Sequence, residues 1–586
     1  MINFREEIIK ILDEKIESLK PEEIDKMVEV PPNYELGDFA FPVFSLAKIY
    51  RKNPAMIAEE LAGEIKSKYF EKVENKNAYL NFYINKSILA EEVLRESLER
   101  KEDFGKTNYG ENKNVVVEYS STNIAKPFHI GHIRSTVIGD SLKRIYKFLG
   151  FNTIAINHLG DYGTQFGMLI YAYKNWGSKE AIENDPINEL LKLYVKVNGV
   201  CEEDEKVKDE CRYWFKELEN GNEEAVEIWK WFKEVSLKEF NRVYDMLDIR
   251  FDSYNGESFY SDKMPGLIEE LREKNVLEES EGAEVINLDE YDLPPAIVVK
   301  SDGTTIYLTR DLAAAKYRHE NYKPYKNIYV VGSQQSLHFK QLKAALKKAG
   351  FDWYAEIVHV PFGMVSLEDG TLSTRRGKVV YLEDVLNRAI DKVREILDDR
   401  EKEQGQKIEN KEELAQAVGI GAIKFQELFN GRIKDYTFNW DKTLSFEGET
   451  GPYVQYVHAR ICSLLKKGDF DINSEIDASL LTEESEINII RSLYNFTDVV
   501  IDACEKNEPY FITRYTVELA KNFNKFYNQT QILVDDEKLK NTRLMLCYAV
   551  KNVIASGLDL LGIKAPEKMW WNEFFWRFKI SLYKSL

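Results

Sequence analysis

Two histidines, His129 and His132, stand either side of Ile130-Gly131, in a chain that uses only seven histidines. Before them runs Val115-Val-Val-Glu-Tyr119, which predicts a short apolar strand. After them Ile133, Val137, Ile138, Leu142, Ile145, Tyr146 and Leu149 fall on one helical face that stops at Gly150. The two imidazoles therefore sit where a strand turns into a helix. A helix start presents free backbone N–H groups and a positive dipole end, which suit phosphate. Gly131 leaves room for a flat or bulky ligand against the backbone. The chemistry this predicts is contact with a transferring phosphoryl group.

Three further constellations carry polar groups in suggestive patterns. In Asp302-Gly-Thr-Thr-Ile-Tyr-Leu-Thr-Arg-Asp311, Tyr307 and Asp311 are four apart and share a side if the chain turns helical at Thr309. A phenol and a carboxylate suit a guanidinium, and Glu257 would add a second carboxylate. Taken alone, the segment reads as an ordinary turn with a helix-capping aspartate. Gly370-Thr-Leu-Ser-Thr-Arg-Arg-Gly-Lys378 is a flexible basic loop able to fold over phosphates, or simply a solvated one. Tyr453, Tyr456 and Arg460 recur at helical spacing, which serves either stacking on unpaired bases or a buried aromatic stripe.

The elements that must position these groups read as several domains, because 586 residues exceed a single core. Residues 1–105 predict a small α/β module with a Pro31-Pro32 break, a turn over 37–42 and a strand over 78–84. Residues 113–170 alternate strand and helix, as do 325–381, with strands over 327–331 and 356–360. These halves predict one open parallel sheet, with a charged, mostly helical insertion at about 175–295 between them. From 382 onward the pattern is helical almost throughout. Ligands in such sheets bind beyond the carboxyl ends of the strands where strand order reverses, which places the site between the His129–His132 loop and Gly332-Ser-Gln-Gln335.

Composition narrows the class. Hydrophobic residues are 44% and charged residues 31%, as in a globular protein, and no apolar run reaches membrane-span length. The N-terminus lacks a secretory apolar region. Cys201, Cys211, Cys462, Cys504 and Cys547 form no CxxC pair or zinc spacing, so a reduced, cytoplasmic protein without structural metal is expected. A net charge of −19 is awkward for a nucleic-acid partner, but much of the acid lies within 201–227, and a local basic stripe is compatible with it.

Together these motifs resemble class I arginyl-tRNA synthetases over residues 1–569. His129-Ile-Gly-His132 is a literal HIGH signature, and Glu118-Tyr-Ser-Ser-Thr-Asn-Ile-Ala-Lys126 is similar to the arginine subgroup in particular. The resemblance implies a Rossmann-like parallel-sheet catalytic domain over 106–381 carrying the insertion. It also implies an N-terminal additional domain (1–105) and a C-terminal helical stem-contact and anticodon-binding domain (382–569). The implied activity joins L-arginine to tRNA(Arg) through arginyl-adenylate, using ATP with Mg2+ and releasing AMP and pyrophosphate; a monomer is expected. By motif, His129, Gly131, His132, Met364, Val365, Ser373 and Thr374 would meet ATP. Glu118, Ser121, Thr122, Asn123, His132 and Gln335 would bind arginine, with Ser121, Asn123 and Gln335 at its amino and carboxylate end and Glu257, Tyr307 and Asp311 around the guanidinium. Tyr79 and Asn81 match a D-loop contact, and Tyr453, Tyr456, Arg460, Tyr527 and Met569 match anticodon-side contacts.

One departure is chemically informative. The class I KMSKS loop ends in a lysine that stabilises the leaving pyrophosphate, and Leu372-Ser-Thr-Arg-Arg376 has none at that place. Lys126, stiffened by Pro127, is expected to supply that charge, with Arg375 or Arg376 assisting. The chain also runs past Met569 to Leu586, with Trp570, Trp571, Phe574, Phe575, Phe578 and Leu582 on one helical face. A helix docked on the C-terminal bundle is the plain expectation for that tail, and an extra partner, membrane-surface or tRNA contact the sharper one. Two competing readings are a non-catalytic tRNA-binding paralogue and a HIGH-bearing nucleotidyltransferase that does not use tRNA.

Overall fold

The computed structural model describes residues 1–367 and 380–569. The chain divides into two compact units. One comprises Met1–Gly105, Val457–Thr497 and Glu518–Ser556. Its sheet is antiparallel, in the order β1 (Phe39–Pro42), β3 (Tyr79–Ile84), β2 (Phe70–Lys76). The turn expected over 37–42 is only half a turn. Gly37, at φ 96°, makes the bend, and Phe39, Ala40 and Phe41 then bury as a strand paired with β3. Alternation is weak there because both faces of β1 are covered. Phe4, on the helix Phe4–Lys15, packs edge-on against Phe70, which meets Phe82 at 5.2 Å.

The other unit comprises Lys106–Tyr456, Asp498–Val517 and the described chain from Gly557. Its sheet is fully parallel, ordered β10 (Ile357–Phe362), β9 (Lys326–Gly332), β4 (Asn114–Glu118), β5 (Asn152–Ile156). Val115, Val116 and Val117 are fully buried, as a central parallel strand with both faces covered requires. The chain leaves β4 for β5 on one side, and β9 leads to β10 on the other, so a crevice opens beyond the ends of β4 and β9. Helix α1 (Ile133–Phe148) packs on β4 so closely that a Cβ at Gly139 would lie 2.2 Å from Tyr119.

The insertion contains α2 (Pro186–Glu203), α3 (Glu205–Glu219) and α4 (Glu223–Met246). It ends in an antiparallel sheet of β6 (Glu278–Ser280), β7 (Ala283–Ile286) and β8 (Ala296–Val299) that the helical expectation missed. These strands are only three or four residues long, too short for periodicity to register. Helix α5 (Tyr307–Tyr322) follows, beginning two residues before the expected Thr309, and α6 (Ser336–Lys348) lies between β9 and β10. Strand β11 (Val365–Leu367) pairs in parallel with β12 (Tyr436–Phe438), a strand inside the region expected to be helical. Helices α7 (Leu382–Gln404), α8 (Lys411–Phe429) and α9 (Gly451–Lys467) complete the elements used below.

Candidate active site

The loop after β4 carries the strain expected of a functional turn. Ser120, Ser121 and Ala125 all adopt left-handed φ, at 69°, 49° and 58°. Such residues persist only where their surroundings over-determine them. Here Ser120 N–H donates to Ser135 Oγ, and Asn123 bridges Gly160, which has no room for a Cβ beside the Asn123 amide. Helix α4 of the insertion forms the floor. Ser236 Oγ accepts from Ala125 N–H, Tyr244 hydroxyl meets Ser120 Oγ at 2.7 Å, and Phe240 and Tyr244 pack against Phe128.

At the helix start, Ile130–His132 form one 3-10 turn leading into α1. His129 Nδ1 accepts from Gly131 N–H at 3.1 Å, and His132 Nδ1 accepts from His129 N–H at 3.2 Å. For His129, an accepting Nδ1 leaves the ring proton of the neutral imidazole on Nε2, an N–H donor away from the backbone, whereas His132 Nδ1 also lies 3.2 Å from the His129 carbonyl oxygen, so the turn accommodates either of its tautomers. Burial holds His129 below the usual histidine pKa; burial and the neighbouring His129 push His132 down to about 3. The pair is therefore neutral at neutral pH. The rings lie 3.9 Å apart, and a Cβ at Gly131 would come within 2.9 Å of the His129 ring. The glycine is required by the histidine itself, before any ligand arrives.

The carboxylates gather near the end of β4, where Glu257 lies within the field of Glu118, the last residue of that strand, and of Asp311. Glu257 is largely buried, and desolvation raises its pKa to about 7 although Arg310 lies near and favours the charged form. Arg310 Nε stands 4.0 Å from Glu257 and its guanidinium stacks on Tyr307 and Tyr162. Tyr307 is 66% exposed, while Asp311 accepts from His338 Nε2 at 2.5 Å. Gln335 closes the short turn Ser333–Gln335 after β9. Thr122 is buried, and Ser121 Oγ is buried with no protein partner among the described residues. Glu118 is committed to Arg318 in a buried pair at 2.7 Å.

The expected ATP segment is clamped from the histidine helix. Arg134 Nη1 donates to Gly363 O at 3.0 Å and Lys434 O at 2.8 Å, with Glu427 3.7 Å from Nε. Met364 N–H donates to Asp435 at 2.6 Å, and Val365 opens β11. Lys126 Nζ lies 5.6 Å from the centre of the Tyr194 ring on α2. Ser373, Thr374, Arg375 and Arg376 lie outside the described residues, as does the tail 570–586. Arg134, Arg318, His338 and the α4 residues escaped sequence reasoning. Only Arg134 offered a local signal, two residues after the second histidine.

The residues expected to meet tRNA are placed as follows. Tyr79 is half-buried against Phe44 on β3, where Asn81 is buried. Arg460 stacks on Tyr527 at 3.9 Å and donates to Asn524. Tyr453 and Tyr456, on α9, are each 8% exposed, and Met569 is half-buried.

The parallel-sheet unit is the catalytic domain of a class I aminoacyl-tRNA synthetase. The model described as "tRNA synthetases class I (R), catalytic domain" matches residues 93–440. Those for the arginyl-tRNA synthetase N-terminal domain and the DALR anticodon-binding domain match 6–84 and 454–569. The chain is 56% identical to the arginine--tRNA ligase of Halothermothrix orenii and 54% identical to that of Clostridioides difficile. Each comparison covers 97% of this chain and 100% of the relative. The Thermus thermophilus arginyl-tRNA synthetase superposes with a TM-score of 0.80 at 26% identity, over 97% of this chain and 99% of that one. The chain belongs to the arginine--tRNA ligase family.

Proposed function

We propose that the protein joins L-arginine to tRNA(Arg) in two steps at the crevice beyond β4 and β9. A carboxylate oxygen of arginine attacks the α-phosphate of ATP, giving arginyl-adenylate and releasing pyrophosphate. A hydroxyl of the tRNA's terminal ribose then attacks the arginyl carbonyl, and AMP leaves. The observation that carries the arginine reading is Glu257: a buried carboxyl raised to about 7, joined to Tyr307 through Arg310 and within the field of Asp311. A planar guanidinium satisfies such an array, whereas the point ammonium of lysine does not.

In this reading His129 and His132 donate Nε2–H to phosphate oxygens as charge builds there. They act as neutral donors, so they stabilise without first having to lose a proton. Gly131, Met364, Val365, Ser373 and Thr374 flank the nucleotide. Ser121, Thr122, Asn123 and Gln335 take arginine's amino and carboxylate groups, and Glu118 supports them through Arg318. Lys126, with Arg375 or Arg376, meets the leaving pyrophosphate. Among the described residues no cluster of three or more His, Cys, Asp or Glu forms a metal cage. In this reading Mg2+ would arrive on the ATP phosphates, which is how this ion is commonly held.

For tRNA, residues 1–105 take the elbow through Tyr79 and Asn81, and 382–569 take the anticodon side through Tyr453, Tyr456, Arg460, Tyr527 and Met569. The protein acts as a cytoplasmic monomer in this reading; among the described residues no helix is long and apolar enough to cross a membrane. ATP–pyrophosphate exchange with arginine, with and without tRNA, tests the whole assignment. Exchange that depends on arginine and is enhanced by tRNA is expected; no exchange under either condition would favour the non-catalytic paralogue.

A further inference from the structure

The insertion touches the catalytic loop through a second helix besides α4. Tyr381 lies just where the described chain resumes after residue 379, and it is stapled to the histidine loop by backbone hydrogen bonds. Ile130 N–H donates to Val380 O at 3.1 Å, Leu382 N–H donates to Phe128 O at 2.9 Å, and His129 and Tyr381 form an antiparallel bridge. The Tyr381 hydroxyl donates to Asn188 Oδ1 on α2 at 2.5 Å. The Asn188 amide has no freedom to flip, because its Nδ2 donates to both oxygens of Asp185 at 3.0 Å. The hydrogen bond therefore has a defined direction and a defined acceptor.

Two further facts give this contact more weight than an incidental surface bond. A cavity of about 280 Å3 lies beside it, lined by Phe128, Asn188, Phe240, Arg242 and Tyr381. The junction is not close-packed, so polar links rather than packing set the distance between α2 and the loop. Arg242, on α4, ties the insertion to the same stretch, donating to Glu383 of α7 at 2.6 Å and to Glu239 of its own helix at 2.9 Å. Six residues along α2 from Asn188, roughly 9 Å along its axis, the Tyr194 ring holds the Lys126 ammonium. One helix thus meets the catalytic loop at Lys126 directly and at Phe128–Ile130 through the 380–382 backbone.

We propose that Asn188, Tyr194 and Tyr381 are positioning residues for amino-acid activation, through which α2 sets the placement of Lys126 and the two histidines. The proposal rests on the arginine-ligase reading. It accounts for the tyrosine hydroxyl and the asparagine, whose hydrogen bonds run to each other and to Asp185.

The test is arginine-dependent ATP–pyrophosphate exchange by the full chain with tRNA present, on Tyr381→Phe, Asn188→Ala and the double variant, with thermal midpoints measured alongside. Each single change is expected to lower kcat about tenfold, as misplacement of reacting groups does, with the KM for arginine within about twofold. The double variant should be no slower than the slower single, because both remove the same bond. Tyr194→Leu should lower kcat and raise the KM for ATP, and Tyr194→Phe, which keeps the ring, should restore both. Unchanged kcat in Tyr381→Phe, multiplying losses in the double variant, or losses that merely follow the thermal midpoint would overturn the proposal. An inactive wild type would instead sink the arginine-ligase reading, so the two failures are distinguishable.

Discussion

The two sides of the crevice are built by different means. The phosphate side is one continuous loop, 119–132, whose histidines are oriented by hydrogen bonds to their own turn. The guanidinium side gathers Glu257, Tyr307, Asp311 and His338 from separate stretches, and its carboxylates depend on neighbours such as Arg310 and His338. Consecutive residues fix the rings themselves, while the insertion helices support the loop from outside. Dispersed construction makes selectivity depend on how the insertion and α5 pack. Damage should therefore appear in kcat on the first side and in arginine affinity on the second.

The largest effect is expected on the phosphate side. His132→Ala removes a neutral donor aimed at developing charge and should lower kcat for exchange by on the order of 100-fold or more, with the KM for arginine little changed. A larger effect on that KM than on kcat would break the comparison. His132 also makes stability depend on pH. Its folded pKa of about 3 lies below the usual 6.5, so the unfolded chain binds the extra proton. That contribution is complete above about 6.5 and is lost as pH falls towards 3. The acid limb of thermal denaturation should be shallower in His132→Ala.

Glu257→Gln comes next and belongs to the other side. Losing a charged, buried partner of a guanidinium costs roughly 2–3 kcal/mol, on the order of 100-fold in the KM for arginine. Because the Glu257 pKa is raised to about 7, its contribution to stability in the free protein is present below the unfolded value of 4.5 and fades as pH rises through about 7. Arginine needs the carboxylate form, so kcat/KM for arginine should climb with pH through about 7. That limb should vanish in Glu257→Gln; a limb that persists assigns it to another group.

Lys126→Ala should lower kcat for adenylate formation by at least tenfold, through loss of positive charge near the leaving group. Activity retained within a few-fold would hand that role to the arginines of 370–378. The smallest effect is expected from deleting 570–586, which lie beyond the DALR anticodon-binding domain match over 454–569. Charging and solubility should be unchanged, and loss of either would give the tail a function.

The two sides also differed in how far sequence could read them. The histidine loop was legible because its strand, turn and helix are consecutive and follow periods of two and 3.6. The parallel sheet was legible for the same reason, although its halves are some 200 residues apart. On the guanidinium side Tyr307 and Asp311 were visible only as an i,i+4 pair, and Glu257 only as a candidate second carboxylate with no spacing to tie it to them. His338 and Arg310, which condition those carboxylates, carried no signal. The strands β6–β8 and β12 were missed because three or four residues cannot establish a period.

What the sequence determined by itself is the chemistry set out along consecutive residues: the paired imidazoles, the helix start behind them, the glycine between them and the order of the strands. Tertiary structure alone decided their state. Burial keeps His132 neutral and lifts Glu257 to about 7, and helices α2 and α4, which read as charged filler, turned out to floor and flank the catalytic loop. The reason is physical. Backbone pattern is a local property, whereas desolvation and hydrogen-bond partnership depend on which distant residues fill the surrounding space.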